Sequence, residues 1–284
     1  MYIGIVMKIR ALIKRNKTIV NFVRGVRKLK GINLGKTIYI NFKTQRLPIA
    51  LKFPILVYGA LKIVSLTGRI KIDGPIKFGM IRLGKNWDLY YASKGSALLY
   101  ISGNLIFKGA IVVSCDYSIF IKGTCIINRY CAIGNSTKIR CWQRIEIGEE
   151  TRVAYETQLF DTNFHYMRDI ETGKVYPCSS DVIIGKNCWI GNRAVITKGA
   201  KLPPYTLVAS NSLVNKDFTS TQTLCITLAG TPAKVVKSGL ARVYSGVTEQ
   251  KINEYFETNP EAEYYQAETG ILDETARIAD DLFR

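Results

Sequence analysis

Aliphatic residues return at a fixed step of six through residues 182–217: Ile184, Ile190, Ile196, Leu202, Val208 and Val214. A small residue often follows the aliphatic one (Gly185, Gly191, Ala209). Another small or short residue often sits four places after it (Cys188, Ala194, Ala200, Thr206, Ser212). A period of six fits neither an α-helix nor a plain alternating strand. It fits a coil with three short flat sides, an aliphatic residue pointing inward from each and a small residue easing each corner. Such coils stack into a solenoid, each rung covering the open face of its neighbour.

The same period occurs earlier. Cys115, Ile121, Ile127, Ile133, Ile139 and Ile145 form one series, and Ile147, Val153 and Leu159 a second, displaced by two residues. The rungs stop near Phe160 and resume at Ile184. Between them lies an aperiodic stretch, DTNFHYMRDIETGKVYPCSSDV, with the one histidine of the chain, His165. This reads as an irregular loop leaving a rigid scaffold, a common place for chemistry.

The pattern resembles the hexapeptide-repeat acyltransferases, and among them the sugar O-acetyltransferases of bacterial polysaccharide synthesis. The likeness is carried by the I-G-x-x-x-W-I-G run at 184–191, His165 upstream of Trp189, SLVNKD at 212–217 and AGTPAKVVK at 229–237. It is specific over residues 133–237 and weaker from Asn41 onward. It implies an all-β solenoid, a left-handed parallel β-helix, working as a homotrimer with active sites between adjacent subunits. The handedness comes from the resemblance alone, because parallel crossovers are normally right-handed.

The formal net charge is +18 over 284 residues, and its distribution is uneven. No Asp or Glu precedes Asp73, whereas the tail after Ser245 is rich in both. Residues 1–31 read as one or two basic helices, with Ile5, Ile9, Leu12 and Ile13 among Lys and Arg. Such a segment either packs with a solvated basic face or lies on an anionic membrane surface, and the lack of acids favours the membrane. Nucleic acid is disfavoured, since no recognition motif or aromatic platform is present. The apolar run at 47–66 is interrupted by Lys52 and Lys62 and punctuated by Pro48 and Pro54. It reads as a lead-in to the first rungs rather than a span, which needs about 20 mainly apolar residues. The expected organisation is a basic extension and lead-in at 1–66, the β-helix at 67–239 with its loop at 160–182, and an acidic helical tail at 240–284. Within that tail, helices are expected near 248–257 and 271–283. Trp87, Tyr90 and Tyr91 either stack on a sugar or pack, and packing is favoured.

Seven cysteines form no C-x-x-C pair. Cys115, Cys125, Cys131, Cys141 and Cys188 stand on the repeat, where they read as small buried hydrophobes. The N-terminus lacks a signal-peptide pattern. A cytoplasmic location, with peripheral contact at the inner face of the bacterial membrane, is expected.

Acyl transfer to an alcohol needs a base for the hydroxyl proton, donors for the developing oxyanion, and alignment of both substrates. Imidazole suits the base role, and His165 matches the family's catalytic histidine. Asp161, four residues earlier, either holds the imidazole or an acceptor hydroxyl, or fixes the loop by turn hydrogen bonds. Asn163 carries the same alternatives and is the candidate acceptor contact. The resemblance makes acetyl-CoA the donor and places Trp189 at the acyl pocket, with rung packing as its other reading. Gly191, Asn192 and Ser210 are small enough to let pantetheine reach the rung backbone. Asn215 and Lys216 match the family's T-K pair, with Asn215 in place of the threonine. Lys234 and Lys237 match cations that reach the CoA phosphates. Unlike many relatives, the chain inserts FTSTQTLCITLA between the K-D turn and the G-T-P-A turn. No metal is expected, since a single histidine cannot supply the three of the γ-class carbonic anhydrases. The expected reaction is acetylation of a sugar hydroxyl on a capsular, O-antigen or exopolysaccharide precursor, the acceptor being a sugar or lipid-linked oligosaccharide. The alternatives are N-acetylation of a nucleotide-linked amino sugar and a non-catalytic β-solenoid that binds a partner.

Overall fold

The computed structural model describes residues 31–87, 91–221, 225–243 and 246–267. The basic stretch 1–30, Tyr90 and the expected helix at 271–283 lie outside the described residues.

From Ile55 to Val214 the chain winds around a triangular prism. Successive strands visit three sheets in rotation, so each sheet is built from every third strand, all parallel. The first face has nine strands, from Ile55–Val57 to Ala233–Lys237; the last of these is antiparallel. The second has seven, from Leu61–Leu66 to Leu213–Val214, and the third six, from Arg69–Ile72 to Lys201–Leu202. The core is one column of buried aliphatic residues, with Cys125, Cys131, Cys141 and Cys188 among them. Burial pushes the thiols of Cys131 and Cys188 up to about 12, which keeps them as inert apolar filler. Strand pairing begins at Ile55, so the first rung takes in the end of the stretch read as a lead-in.

The rungs differ in size and are longest at the start, where Ile55 pairs with Ile81, Ile81 with Ile111 and Ile70 with Leu105. After the loop a rung takes 18 residues, as Trp189 pairs with Leu207 and Ile196 with Val214. From Leu98 to the loop a rung takes 20, as Leu98 pairs with Ser118, Ile119 with Ile139 and Ile139 with Leu159. The strands of the second and third faces are longer there and bury two residues each, such as Ile119 with Ile121 and Cys125 with Ile127. The two-residue displacement between Ile145 and Ile147 is therefore a feature of each 20-residue rung.

The corners correct the expectation that a small residue makes the turn. At the corner between faces one and two, Asp116, Ser136, Glu156, Arg193 and Asn211 all take left-handed φ near +57 (56–59°). Non-glycine residues accept this only where the surroundings fix them. In four of the five the N–H is fixed by the rung before: Ser136 donates to the Cys115 carbonyl, Glu156 to Asn135, Arg193 to Tyr155 and Asn211 to Asn192. The small residue comes next and is tucked inside, as with Thr137, Thr157, Ala194 and Ser212.

Helix α1 (Leu34–Thr44) and the single turn α2 (Leu47–Ala50) close the open start of the coil. Asn33 caps α1, its side chain accepting from the Lys36 N–H. Helix α3 (Gly246–Thr258) follows the coil. Among the described residues, no helix is long and apolar enough to cross a membrane.

Candidate active site

The loop leaves the coil at Asp161, and the corner below shows why that residue is an acid. In the preceding rung, the N–H groups of Lys122 and Gly123 both donate to the Cys141 carbonyl of the next rung. One rung later the donors are Trp142 and Gln143, and the acceptor should be the carbonyl of residue 161. The chain turns away there, and the Asp161 carbonyl accepts from Ser180 instead. Its side chain replaces the missing acceptor: Oδ1 takes the Trp142 N–H and Oδ2 the Gln143 N–H, each at 2.7 Å. Asp161 is fully buried. Burial raises its carboxyl above the ordinary range, and these N–H donors pull against that rise. Both carboxylate oxygens of Asp161 are thus engaged by backbone N–H groups at the foot of the loop.

The stretch read as irregular is a folded hairpin. Thr162 bridges to Ser179, Asn163 donates its N–H to the Cys178 carbonyl at 2.8 Å, and Met167–Arg168 pairs antiparallel with Val175–Tyr176. Its feet are tied to the coil by Gln143 Nε2 to Asp181 (2.6 Å) and Lys198 Nζ to the Pro177 carbonyl (2.9 Å). Asn163 is exposed and joins the hairpin through its backbone.

His165 is exposed on this hairpin. The residue before it, Phe164, has φ +63 and donates its N–H to Thr162 Oγ1. The Phe164 ring lies edge-on to Trp142, centroids 5.0 Å apart, and touches Phe160 at 6.0 Å. Trp142 in turn stacks on Phe120, which stacks on Tyr100, with the Lys122 ammonium 4.8 Å from the Trp142 ring. A ladder of rings fixed to the coil thus supports the backbone that presents the imidazole. Trp142, Gln143, Tyr166, Tyr176 and Cys178 line an open hollow of ≈ 610 Å³ beside it.

The other sequence-chosen residues fall into two groups. Trp189 points outward from the first face, with the Arg242 guanidinium 5.5 Å from its ring. It opens on a cavity of ≈ 270 Å³ that also touches Trp87, Asn135, Arg152 and Tyr155. Asn135 is buried there, and its Oδ1 has no protein partner. Gly191, Asn192 and Ser210 stand at the adjoining corner. A Cβ on Gly191 would meet the Val208 carbonyl at 2.6 Å, so only glycine lets these rungs stack. Lys234 and Lys237 are exposed on the last strand of the same face. These six residues therefore run along one side of the prism.

Asn215 and Lys216 belong with the other corner. They follow the last strand of the second face, and Lys216 lies 5.2 Å from the Phe218 ring. The His165 hairpin also leaves between faces two and three, opposite the first face. One chain does not bring His165 to Trp189. Trp142, Phe164, Arg152 and Arg242 escaped the sequence reading because they occupy outward or extra-coil positions on which a period of six is silent. Among the described residues, no group of three His, Cys, Asp or Glu side chains is placed to hold a metal ion.

No family model matches the chain. An uncharacterized 24.8 kDa protein in the cps region of Klebsiella pneumoniae is 31% identical over 159 residues, covering 56% of this chain and 66% of that protein. Solved structures similar to the chain include the polySia-specific acetyltransferase NeuO, with TM-score 0.43 and 17% identity over 73% of this chain and 94% of that one. The polysialic acid O-acetyltransferase OatWY gives TM-score 0.34 and 20% identity, over 71% and 98%. AntD, an N-acyltransferase from Bacillus cereus solved with dTDP and coenzyme A, gives 0.34 and 16%, over 72% and 89%. By its own repeat and its own strand pairing, the chain is a three-sided hexapeptide-repeat parallel β-helix.

Proposed function

We propose that this chain is an acyl-CoA-dependent acyltransferase that moves an acetyl group onto a sugar hydroxyl of a polysaccharide precursor, with His165 as general base. The observation that carries the reading is the presentation of the chain's one histidine. It stands exposed on a hairpin inserted into an otherwise closed coil, behind a strained Phe164 that packs on a ring fixed to the scaffold.

The imidazole takes the hydroxyl proton as the acceptor oxygen attacks the thioester carbonyl. The tetrahedral adduct expels the CoA thiolate, which receives the proton from the imidazolium, so protons and bonds balance. The donor would lie along the first face, its pantetheine over Gly191, Asn192 and Ser210 and its phosphates toward Lys234 and Lys237. A trimer would bring one chain's hairpin to the next chain's first face. The exposed apolar side chains of the hairpin, Tyr166, Met167, Ile170 and Val175, suit such a contact. The reading places the enzyme at the inner face of the cytoplasmic membrane, near lipid-linked acceptors.

The test is thiol release from acetyl-CoA with a panel of sugars, nucleotide amino sugars and lipid-linked oligosaccharides. His165→Ala is expected to lower turnover by about 10²–10⁴-fold while leaving CoA binding intact. Release that needs an amine acceptor would replace the hydroxyl with a nitrogen. Neither CoA binding nor release on any acceptor would overturn the enzyme reading.

A further inference from the structure

Helix α1 leaves four large apolar side chains, Leu34, Ile38, Tyr39 and Phe42, exposed on a cap that faces away from the coil. Its inward side carries Ile40, which joins the core, and the polar residues Thr37 and Asn41, all three buried. The two polar residues pair with the open edge of the first strand. Asn41 Nδ2 donates to the Ile55 carbonyl at 2.7 Å, the Ile55 N–H donates to Asn41 Oδ1 at 3.2 Å, and the Val57 N–H donates to Thr37 Oγ1 at 3.0 Å. An unpaired strand edge at the end of a solenoid must be covered, and α1 does so with side-chain amides and hydroxyls.

The outward side is apolar. Leu34, Ile38 and Phe42 lie one turn apart on α1 with Tyr39 beside them, and Leu47 and Leu51 continue the patch across α2. All six are between 44% and 67% exposed. A helix on a soluble surface normally turns such a stripe to the core, and a contiguous apolar patch marks a contact surface. Lys36, Lys43, Arg46 and Lys52 surround it, and no Asp or Glu occurs before Asp73. The nine Lys and Arg of residues 1–30 add charge of the same sign immediately upstream.

We propose that this end of the coil is a docking surface for an anionic lipid bilayer. The six apolar side chains enter the boundary between headgroups and acyl chains, and the cations meet the lipid phosphates. Apolar anchors ringed by cations, with no carboxylate to repel the surface, fit an interfacial rather than a spanning contact. The coil axis then stands away from the membrane. The inference is independent of the acyl-transfer reading, since it concerns neither His165 nor the first face.

The experiment is flotation of the full-length protein with vesicles of phosphatidylethanolamine and phosphatidylglycerol, against vesicles of phosphatidylcholine alone. The wild type is expected to float with the anionic vesicles only. The triple variant Leu34→Ser/Ile38→Ser/Phe42→Ser keeps every charge and should partition roughly a hundredfold more weakly, because three half-buried anchors are lost. A second variant, Leu47→Ser/Leu51→Ser, tests the same patch without altering α1, and unchanged circular-dichroism melts establish that both fold. Wild-type flotation by both variants would assign binding to residues 1–30 and overturn the proposal. Failure of the wild type to float would do the same. So would a fall in mass by light scattering in the variants with lipid binding unchanged, which would make the patch a contact between copies of the chain.

Discussion

Replacing Asp161 separates the two roles that its position beside the hairpin allows. In Asp161→Ala, the N–H groups of Trp142 and Gln143 lose the only acceptors the structure gives them, each now at 2.7 Å. Hydrogen bonds to a charged acceptor contribute about 1.5–3 kcal/mol apiece, so about 3–6 kcal/mol of attraction is removed. Part of this is offset because a carboxylate no longer has to be buried, and its raised pKa shows that burial opposes the charge. The net cost is then about 2–4 kcal/mol, a fall in Tm of roughly 4–16 °C for a domain of this size. Asp161→Asn keeps the shape and one acceptor but turns an NH₂ donor toward the other N–H, costing about 1–3 kcal/mol. The assay is thermal unfolding by circular dichroism, paired with hydrogen exchange at the Trp142 and Gln143 amides, which should lose protection in both variants. An Asp161→Asn protein with wild-type Tm and protected amides, but turnover down more than about a hundredfold, would refute this reasoning and make Asp161 a partner of the imidazole.

The remaining expectations bear on other parts of the coil. Gly123 packs so closely on the next rung that a Cβ would lie 2.3 Å from the Gln143 carbonyl. Gly123→Ala should therefore destabilise by about 1–3 kcal/mol, read as a lower urea midpoint, while Gly173→Ala in the hairpin turn should strain only that turn and leave the coil intact. Burial raises the Asp116 carboxyl, but the Lys94 and Ser96 N–H groups and the Tyr91 and Ser93 hydroxyls outweigh this and hold it below its usual value. Its contribution is present above the ordinary carboxylate pKa of about 4 and is lost as pH falls through the depressed one. Residues 91–96 should gain hydrogen exchange in that acid window, and Asp116→Asn should abolish the pH dependence. Trp189→Ala should raise the KM for acetyl-CoA by about tenfold or more with a smaller change in kcat; an unchanged KM would return Trp189 to simple packing on the first face.

The interior of the coil was legible in the sequence because burial there is repetitive: a side chain that points into a prism of fixed width must be aliphatic or small at every pass. The period of six shows many of those residues, from Ile121 to Val214, although Cys115, which it also counts, stands outside the core column, where Val113 takes its place. It does not show rung length, because Ile119 and Ile121 are both buried in one strand and a series counted through either looks equally regular. Nor does it show the residues that make the corners. Tyr130, Glu150 and Arg193 adopt φ near +60 because the previous rung supplies an acceptor (Ala110, Arg129 and Tyr155), and that acceptor lies 20 or more residues away, beyond any local propensity.

Where the repeat fails, the sequence becomes informative again in another way. A buried Asp at residue 161 occupies the inward column of Ile121 and Cys141, where an aliphatic residue belongs. Such a misfit needs a donor to satisfy it, and two backbone N–H groups freed by the departure of the loop are what the structure supplies. Asn41 is the same case at the other end: a buried amide in a helix interior, satisfied by the edge of the first strand. In both places a polar residue stands where the coil begins or is interrupted, because the next rung that would have taken the backbone hydrogen bonds is missing. The residues that close the coil and release the hairpin are thus dictated by the same accounting of backbone donors and acceptors that builds the rungs. His165 is not. Nothing in the coil requires an imidazole on an exposed hairpin, and that lack of structural necessity is the reason to look for its chemistry.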